Sequence, residues 1–206
     1  EEMIASLQKY SPDILALVEV DTGSTRSRGK DEAKEFADAL GLGNIAKSIK
    51  YPFFGVWSLL RRMPILRMQG NALLSKYSFD DVKYHMLHHG AKRVLIEGVV
   101  HCPRKTSVFL AHLALGGKTR KSQLEEIASI VRSRRHPVLL VGDFNTVHGK
   151  HELDFLFSTT HLSDAVKRAD VVTFPSWNPK KRLDYILVTP DILVDKFSTI
   201  KIPFSD

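Results

Sequence analysis

Asp143 and Asn145 stand two residues apart at the end of "PVLLVGDFNTV" (137–147), where an apolar run stops at Gly142. Side chains two apart on an extended chain point the same way, so the carboxylate and the amide share a face. Gly142 lets another backbone or a ligand approach closely. The construction recurs at Glu19, which closes "ILALVE", and at His112, which closes "VFLAH". Three separate strands thus each end in a polar group suited to catalysis or metal binding. Singly, each has a plain structural explanation, a turn or cap for Asp143 and Asn145 and a solvent-facing strand end for Glu19. Convergence of all of them is what points to a site.

Such groups need rigid strands behind them, and the chain supplies these in alternation with helices. An opening amphipathic helix precedes "DILALVEV" (13–20), a strand too continuously apolar to have one wet face. Helical spacing over 30–41 ends at Gly41, and strands are expected at 71–75, 94–101 and 107–113. A helix over 119–133 carries the stripe Leu124, Ile127, Ile130, Val131. Strand 137–141, a short helical stretch near 151–157 and strands 183–188 and 195–202 complete the series. Buried strands interleaved with helices make an α/β layered domain. Layered α/β sheets keep their ligands at the carboxyl ends of strands, where these polar residues stand.

At 206 residues and 43% hydrophobic content, one domain spanning residues 1–206 is the natural reading. No apolar stretch approaches the roughly 20 residues that span a bilayer, so no transmembrane segment is expected. One cysteine, Cys102, excludes an intrachain disulfide and a cysteine-based zinc site. The net charge is +7, and the stretch from Lys92 to His136 alone holds ten Lys/Arg against three Glu. That basic face either keeps the protein solvated or attracts polyanions. A monomer is expected; the compartment stays open, with a slight lean to the cytoplasm.

"LVEVD" (17–21), "GNALLSKY" (70–77), "LAHLALG" (110–116), "VGDFNT" (141–146), "RLDYILV" (182–188) and a terminal "SD" (205–206) occur in an order that resembles the endonuclease/exonuclease/phosphatase superfamily. The resemblance runs from about residue 11 to the end. It implies a four-layer α/β/β/α sandwich, two packed mixed sheets flanked by helices, with a cleft along one rim. It also implies a phosphodiesterase dependent on Mg²⁺, or on Mn²⁺.

By that resemblance Glu19 is the principal metal ligand, a hard carboxylate suited to Mg²⁺. Asp143 activates the attacking water, Asn145 donates to phosphoryl oxygens, and His112 contacts the scissile phosphate. Asp206 belongs near the metal, and Asp184 orients a closing histidine. Phosphoryl transfer asks for such positioning and charge neutralisation more than for covalent help. The family's opening strand with its metal-site asparagine does not precede Glu1, and the chain stops one residue before the closing histidine. A fragment with weak turnover is therefore expected, and the alternative is a non-catalytic polyanion-binding relative.

The substrate is less determined. Two basic loops, 116–121 with Lys118 and Arg120 and 176–182 with Trp177 and Lys181, are expected to border the cleft and favour nucleic acid. Arg26 and Asn71 are further candidates for substrate contact. Residues 53–68 mix Phe, Trp and Leu with arginines, which suits a phospholipid headgroup at a membrane surface or simple core packing. An inositol phosphate remains a third option. His85, His88 and His89 read as exposed strand or turn residues.

Overall fold

Apolar residues on both faces of a strand require cover on both sides, and the computed structural model of the chain provides it. It describes residues 2–21, 30–49, 69–90, 94–168 and 170–200. The elements are α1 (Glu2–Gln8), β1 (Ile14–Asp21), α2 (Glu32–Leu40), β2 (Asn44–Ile49), β3 (Gln69–Ser75), β4 (Phe79–Met86), β5 (Val94–His101), β6 (Lys105–His112) and α3 (Gly117–Arg132). β7 (Val138–Asp143), a 3₁₀ turn (Lys150–Leu153), α4 (Asp154–Thr159), β8 (Ser163–Asp164) and β9 (Asp184–Val188) follow.

The strands form two sheets, one of order β1-β3-β2 and one of order β4-β5-β6-β7-β9-β8. The larger sheet is mixed, because β6 and β7 run parallel across the α3 connection while its other pairs are antiparallel. The smaller sheet is antiparallel in its described strands.

Alternation sorts the side chains into three apolar layers. Leu15 and Leu17 of β1 and Ala72 and Leu74 of β3 pack against Ala33, Phe36 and Ala37 of α2. Ile14, Ala16 and Val18 turn the other way, onto Val108 and Leu110 of β6 and Leu139 and Val141 of β7. Phe109, Ala111, Val138 and Leu140 lie on the far face of the large sheet, under Leu124, Ile127 and Val131 of α3 and Leu156 of α4. This is the four-layer α/β/β/α sandwich. α2 has sharp ends: Asp31 accepts from the Lys34 backbone N–H, and Gly41 closes the helix at φ 67.

Three expectations need correcting. Residues 195–200 have no regular structure, because a run with Asp195, Lys196 and Ser198 finds no neighbouring strand among the described residues. β2, β4 and the two-residue β8 add three strands that the apolar pattern does not mark. All three lie at sheet edges, and the wet faces of β2 and β4 break the apolar run. His85 is also not a plain surface residue: its Nε2 lies 2.7 Å from Glu97 Oε2, in a buried cluster that Ser107 and Arg134 complete. Among the described residues no helix is long and apolar enough to cross a membrane.

Candidate active site at one rim of the sandwich

Strand register alone brings three of the singled-out residues into one row. His112 at the end of β6 pairs with Asp143 at the end of β7, and Asp143 pairs with Asp184 at the start of β9. Glu19 reaches the row from the other sheet. His112 Nε2 lies 3.6 Å from Asp143 Oδ2 and 3.9 Å from Glu19 Oε1. The histidine is almost wholly buried, whereas Glu19 keeps 43% of its side chain exposed.

Two backbone irregularities make this meeting possible. β1 bulges between Leu17 and Val20, and Glu19 adopts φ 57, an uncommon conformation for a residue other than glycine. Asn71 of β3 secures the bulge, its Oδ1 accepting from the Glu19 backbone N–H at 3.3 Å. At Gly142, φ is 142, and a Cβ there would stand 1.8 Å from the Ala111 carbonyl oxygen. Only glycine lets β7 run this close to β6 where His112 and Asp143 leave their strands.

Asn145 lies beneath the rim. It is buried, its Nδ2 donates to the Leu113 carbonyl at 2.8 Å, and its own N–H donates to Asp143 Oδ1 at 2.8 Å. It thus ties the chain after β6 to the chain after β7 and fixes the Asp143 carboxylate. A cavity of about 430 Å³ opens between the sheets beside this rim, lined by Ile14, Val18, Leu110 and Val141 on its apolar side and by Asp143, Arg182 and Asp184 at its polar end. Asp184 keeps a solvent-facing edge, yet the protein crowded around its carboxyl raises its pKa above the ordinary value, against the opposing pull of Thr173 and Arg182.

Glu19 and Asp143 are hard oxygen donors on the same rim, a donor set that fits Mg²⁺ or Mn²⁺. Among the described residues no group of three or more His, Cys, Asp or Glu is arranged to hold a metal ion. Mg²⁺ does not require a full protein cage, since it is commonly held by one or two carboxylates together with water and substrate phosphate.

The remaining sequence candidates fall elsewhere. Arg120 is a correction: it is not a cleft residue, because 116–121 is no basic loop but the start of α3, and its guanidinium is fully buried. It donates to Ala114 O at 2.9 Å and to Leu115 O at 2.7 Å, and it forms an ion pair with Glu152. Lys118 is exposed in the first turn of α3, and Trp177 is 74% exposed on the loop between Phe174 and Lys181. Lys181 is exposed and lines a second groove. Arg26, Asp206 and residues 53–68 lie outside the described residues. Arg182 lies in the basic loop 176–182 expected at the cleft but was not singled out as a site residue. It is bound by two 2.8 Å hydrogen bonds to the buried Asp164, and its guanidinium stacks 4.2 Å from the Tyr185 ring centroid. Its place at the end of that loop, directly before "LDYI", was the signal.

Comparison with solved structures gives the same fold at low identity. An endonuclease/exonuclease/phosphatase protein from Beutenbergia cavernae matches with 18% identity and TM-score 0.66 over 92% of this chain, and this chain covers 58% of it. The human nocturnin catalytic domain with bound sulfate matches with 21% identity and TM-score 0.64, over 91% of this chain and 73% of that one. A β-hairpin deletion mutant of Staphylococcus aureus beta toxin matches with 14% identity and TM-score 0.67, over 100% and 87%. Comparison with curated proteins gave no match. The family model described as Endonuclease/Exonuclease/phosphatase family matches residues 1–206, and the chain belongs to that family.

Proposed function

We propose that the protein is a divalent-metal-dependent phosphodiesterase, with nucleic acid favoured as substrate. The observation that carries this reading is the approach of Glu19 and Asp143, from different sheets, to within 3.9 Å of His112 Nε2. Mg²⁺ or Mn²⁺, held by Glu19 and supported by Asp206, would neutralise phosphoryl charge when bound.

The chain's own groups divide the remaining work. Asp143, fixed by the Asn145 N–H, takes the proton from the attacking water. His112 sits between the two carboxylates and presents Nε2 to a phosphoryl oxygen, while the buried Asn145, its amide spent on the Leu113 carbonyl, serves by holding Asp143 in place rather than by donating to phosphate. Asp184, with its proton affinity raised by burial, is the carboxylate that would orient the family's closing histidine. Asn71 keeps Glu19 on the substrate side of β1.

A second reading, hydrolysis of a phospholipid headgroup, draws on the apolar wall of the cavity beside the rim. The test is hydrolysis of bis-p-nitrophenyl phosphate by the 206-residue chain with Mg²⁺ or Mn²⁺, followed by a panel of DNA, RNA, sphingomyelin and inositol phosphates. Metal-dependent turnover that Asp143→Asn abolishes supports the class. Turnover that survives in Asp143→Asn refutes the assignment.

A further inference from the structure

We propose that the groove beside the catalytic cleft binds the sugar-phosphate backbone of a nucleic-acid strand, one or more phosphates away from the bond that is cut. This rests on the phosphodiesterase reading and narrows its substrate to a strand carrying phosphates beyond the scissile one.

The groove, about 490 Å³, is lined by Lys150, Lys167, Arg168, Lys180, Lys181 and Arg182, and no carboxylate is among its described lining residues. Arg168 is paired with Asp170, and Arg182 and Lys150 share Asp164, so Lys167, Lys180 and Lys181 carry most of the positive potential that this concave surface focuses on an entering anion. Arg182 and Lys150 are set in place before any ligand arrives. The buried Asp164, whose carboxyl burial alone would raise, is instead held low by Arg182 and Lys150. It clamps Arg182 through both oxygens and holds Lys150 Nζ at 2.8 Å. Arg182 Nε also donates to the Asp184 carbonyl at 3.2 Å, so the clamped arginine forms the wall between groove and cleft. Lys167, Lys180 and Lys181 are exposed on the open side.

Continuity limits the anion to one that carries more than one phosphate. Val171, Arg182 and Tyr185 line both the groove and the cavity that ends at Asp143 and Asp184. A ligand with one phosphate at the rim therefore needs a second phosphate to use the groove, which a strand supplies and a single phosphodiester does not. A phospholipid would direct its tail to the apolar wall between the sheets and leave the cations unused.

The test is binding without turnover. The chain, in EDTA, is titrated into a fluorescein-labelled single-stranded oligonucleotide of about a dozen nucleotides, and anisotropy is followed as salt rises from about 50 to 200 mM. Lys167→Ala/Lys180→Ala/Lys181→Ala is expected to weaken binding at least about tenfold and to lower the slope of log K against log salt by about 0.7 for each phosphate no longer neutralised. A charge-matched control, Lys9→Ala/Lys34→Ala/Lys83→Ala, is expected to retain affinity. The substituted lysines are exposed, so the melting temperatures of all three proteins should agree. The proposal is overturned if the wild type does not bind the oligonucleotide, if the groove variant binds as the wild type does, or if the control loses as much as the groove variant. It is also overturned if the groove lysines matter for phosphatidylserine vesicles and not for the oligonucleotide. Loss of binding in the groove variant with no hydrolysis of bis-p-nitrophenyl phosphate by the wild type would leave the groove standing and remove the enzyme reading.

Discussion

Arg120 offers the sharpest test of how the rim is supported. Its side chain is 1% exposed and that of its partner Glu152 is 15% exposed. Glu152 also accepts from the His148 backbone N–H at 3.0 Å, so one ion pair joins the segment after His112 to the segment after Asn145. Removing one partner of a buried pair strands the other, at a cost of about 3–5 kcal/mol. Arg120→Ala is therefore expected to destabilise by about that much, since Glu152 and the carbonyls of Ala114 and Leu115 all lose their donor. Glu152→Gln should cost less, because an amide oxygen still accepts from the guanidinium and both backbone carbonyls keep their bonds. Arg120→Met with Glu152→Leu should recover part of the loss, as no charge is then left buried alone. Urea unfolding with a common m-value measures all three. If Arg120→Ala unfolds within about 1 kcal/mol of the wild type, the guanidinium is not buried as described, and Arg120 belongs with the surface cations after all.

Three further outcomes can be measured. Gly142→Ala should destabilise by more than about 2 kcal/mol, because its Cβ would overlap the Ala111 carbonyl and φ 142 suits no other residue; an unchanged denaturation midpoint would refute the close approach of β7 to β6. Asp143→Asn should lower metal-dependent hydrolysis of bis-p-nitrophenyl phosphate at least about 10²-fold while the circular dichroism spectrum stays unchanged. Glu97 tests pH dependence. Burial would raise its carboxyl, but bonds from His85, Arg134 and Ser107 more than offset that and hold it well below the ordinary value. A depressed folded pKa gives stability that is present above the ordinary glutamate value of about 4.3 and lost as pH falls below it. Glu97→Gln should therefore be less stable near neutrality and show a flatter decline in acid, and a parallel decline would refute the role.

What the sequence revealed and what it hid divide along burial. β1, β5, β6 and β7 were legible because both faces are covered, which leaves continuous apolar runs such as "VLLV" with a polar residue at the end, and β9 was legible from its apolar run although its Asp184 and Ile186 face is partly open. β2 and β4 were not, since "NIAKSI" and "FDDVKYHM" each lie at a sheet edge, where partner strands and not side-chain pattern decide the conformation. The row His112, Asp143 and Asp184 could be suspected from strand ends, but only register shows that they stand opposite one another. Arg120 misled for the converse reason. An arginine between Lys118 and Lys121 reads as surface, and what buries it is Glu152, thirty-two residues away. Arg182 gained its fixed place the same way, from Asp164, eighteen residues before it.

Glu19 is where strict alternation would have given the wrong answer. Leu17 faces α2, so a regular strand would send residue 19 to the same side, into the apolar layer beneath that helix. The extra residue in the bulge lets Val18 and Glu19 both turn toward the large sheet, and Val20 resumes the α2 side. The left-handed φ at Glu19 is the strain that comes with this placement, on the order of 1–2 kcal/mol for a side chain bearing a Cβ. Glycine has no such penalty. In an ordinary strand Gly is less stable than Ala by roughly 0.5–1 kcal/mol, but here the order should invert. Glu19→Gly is expected to be more stable than Glu19→Ala by about 0.5–1 kcal/mol in urea unfolding, while both variants lose metal-dependent hydrolysis. Strain and function would then be traced to one residue. If Glu19→Gly proves the less stable of the two, β1 passes Glu19 without a left-handed turn, and the route by which its carboxylate reaches His112 has to be redrawn.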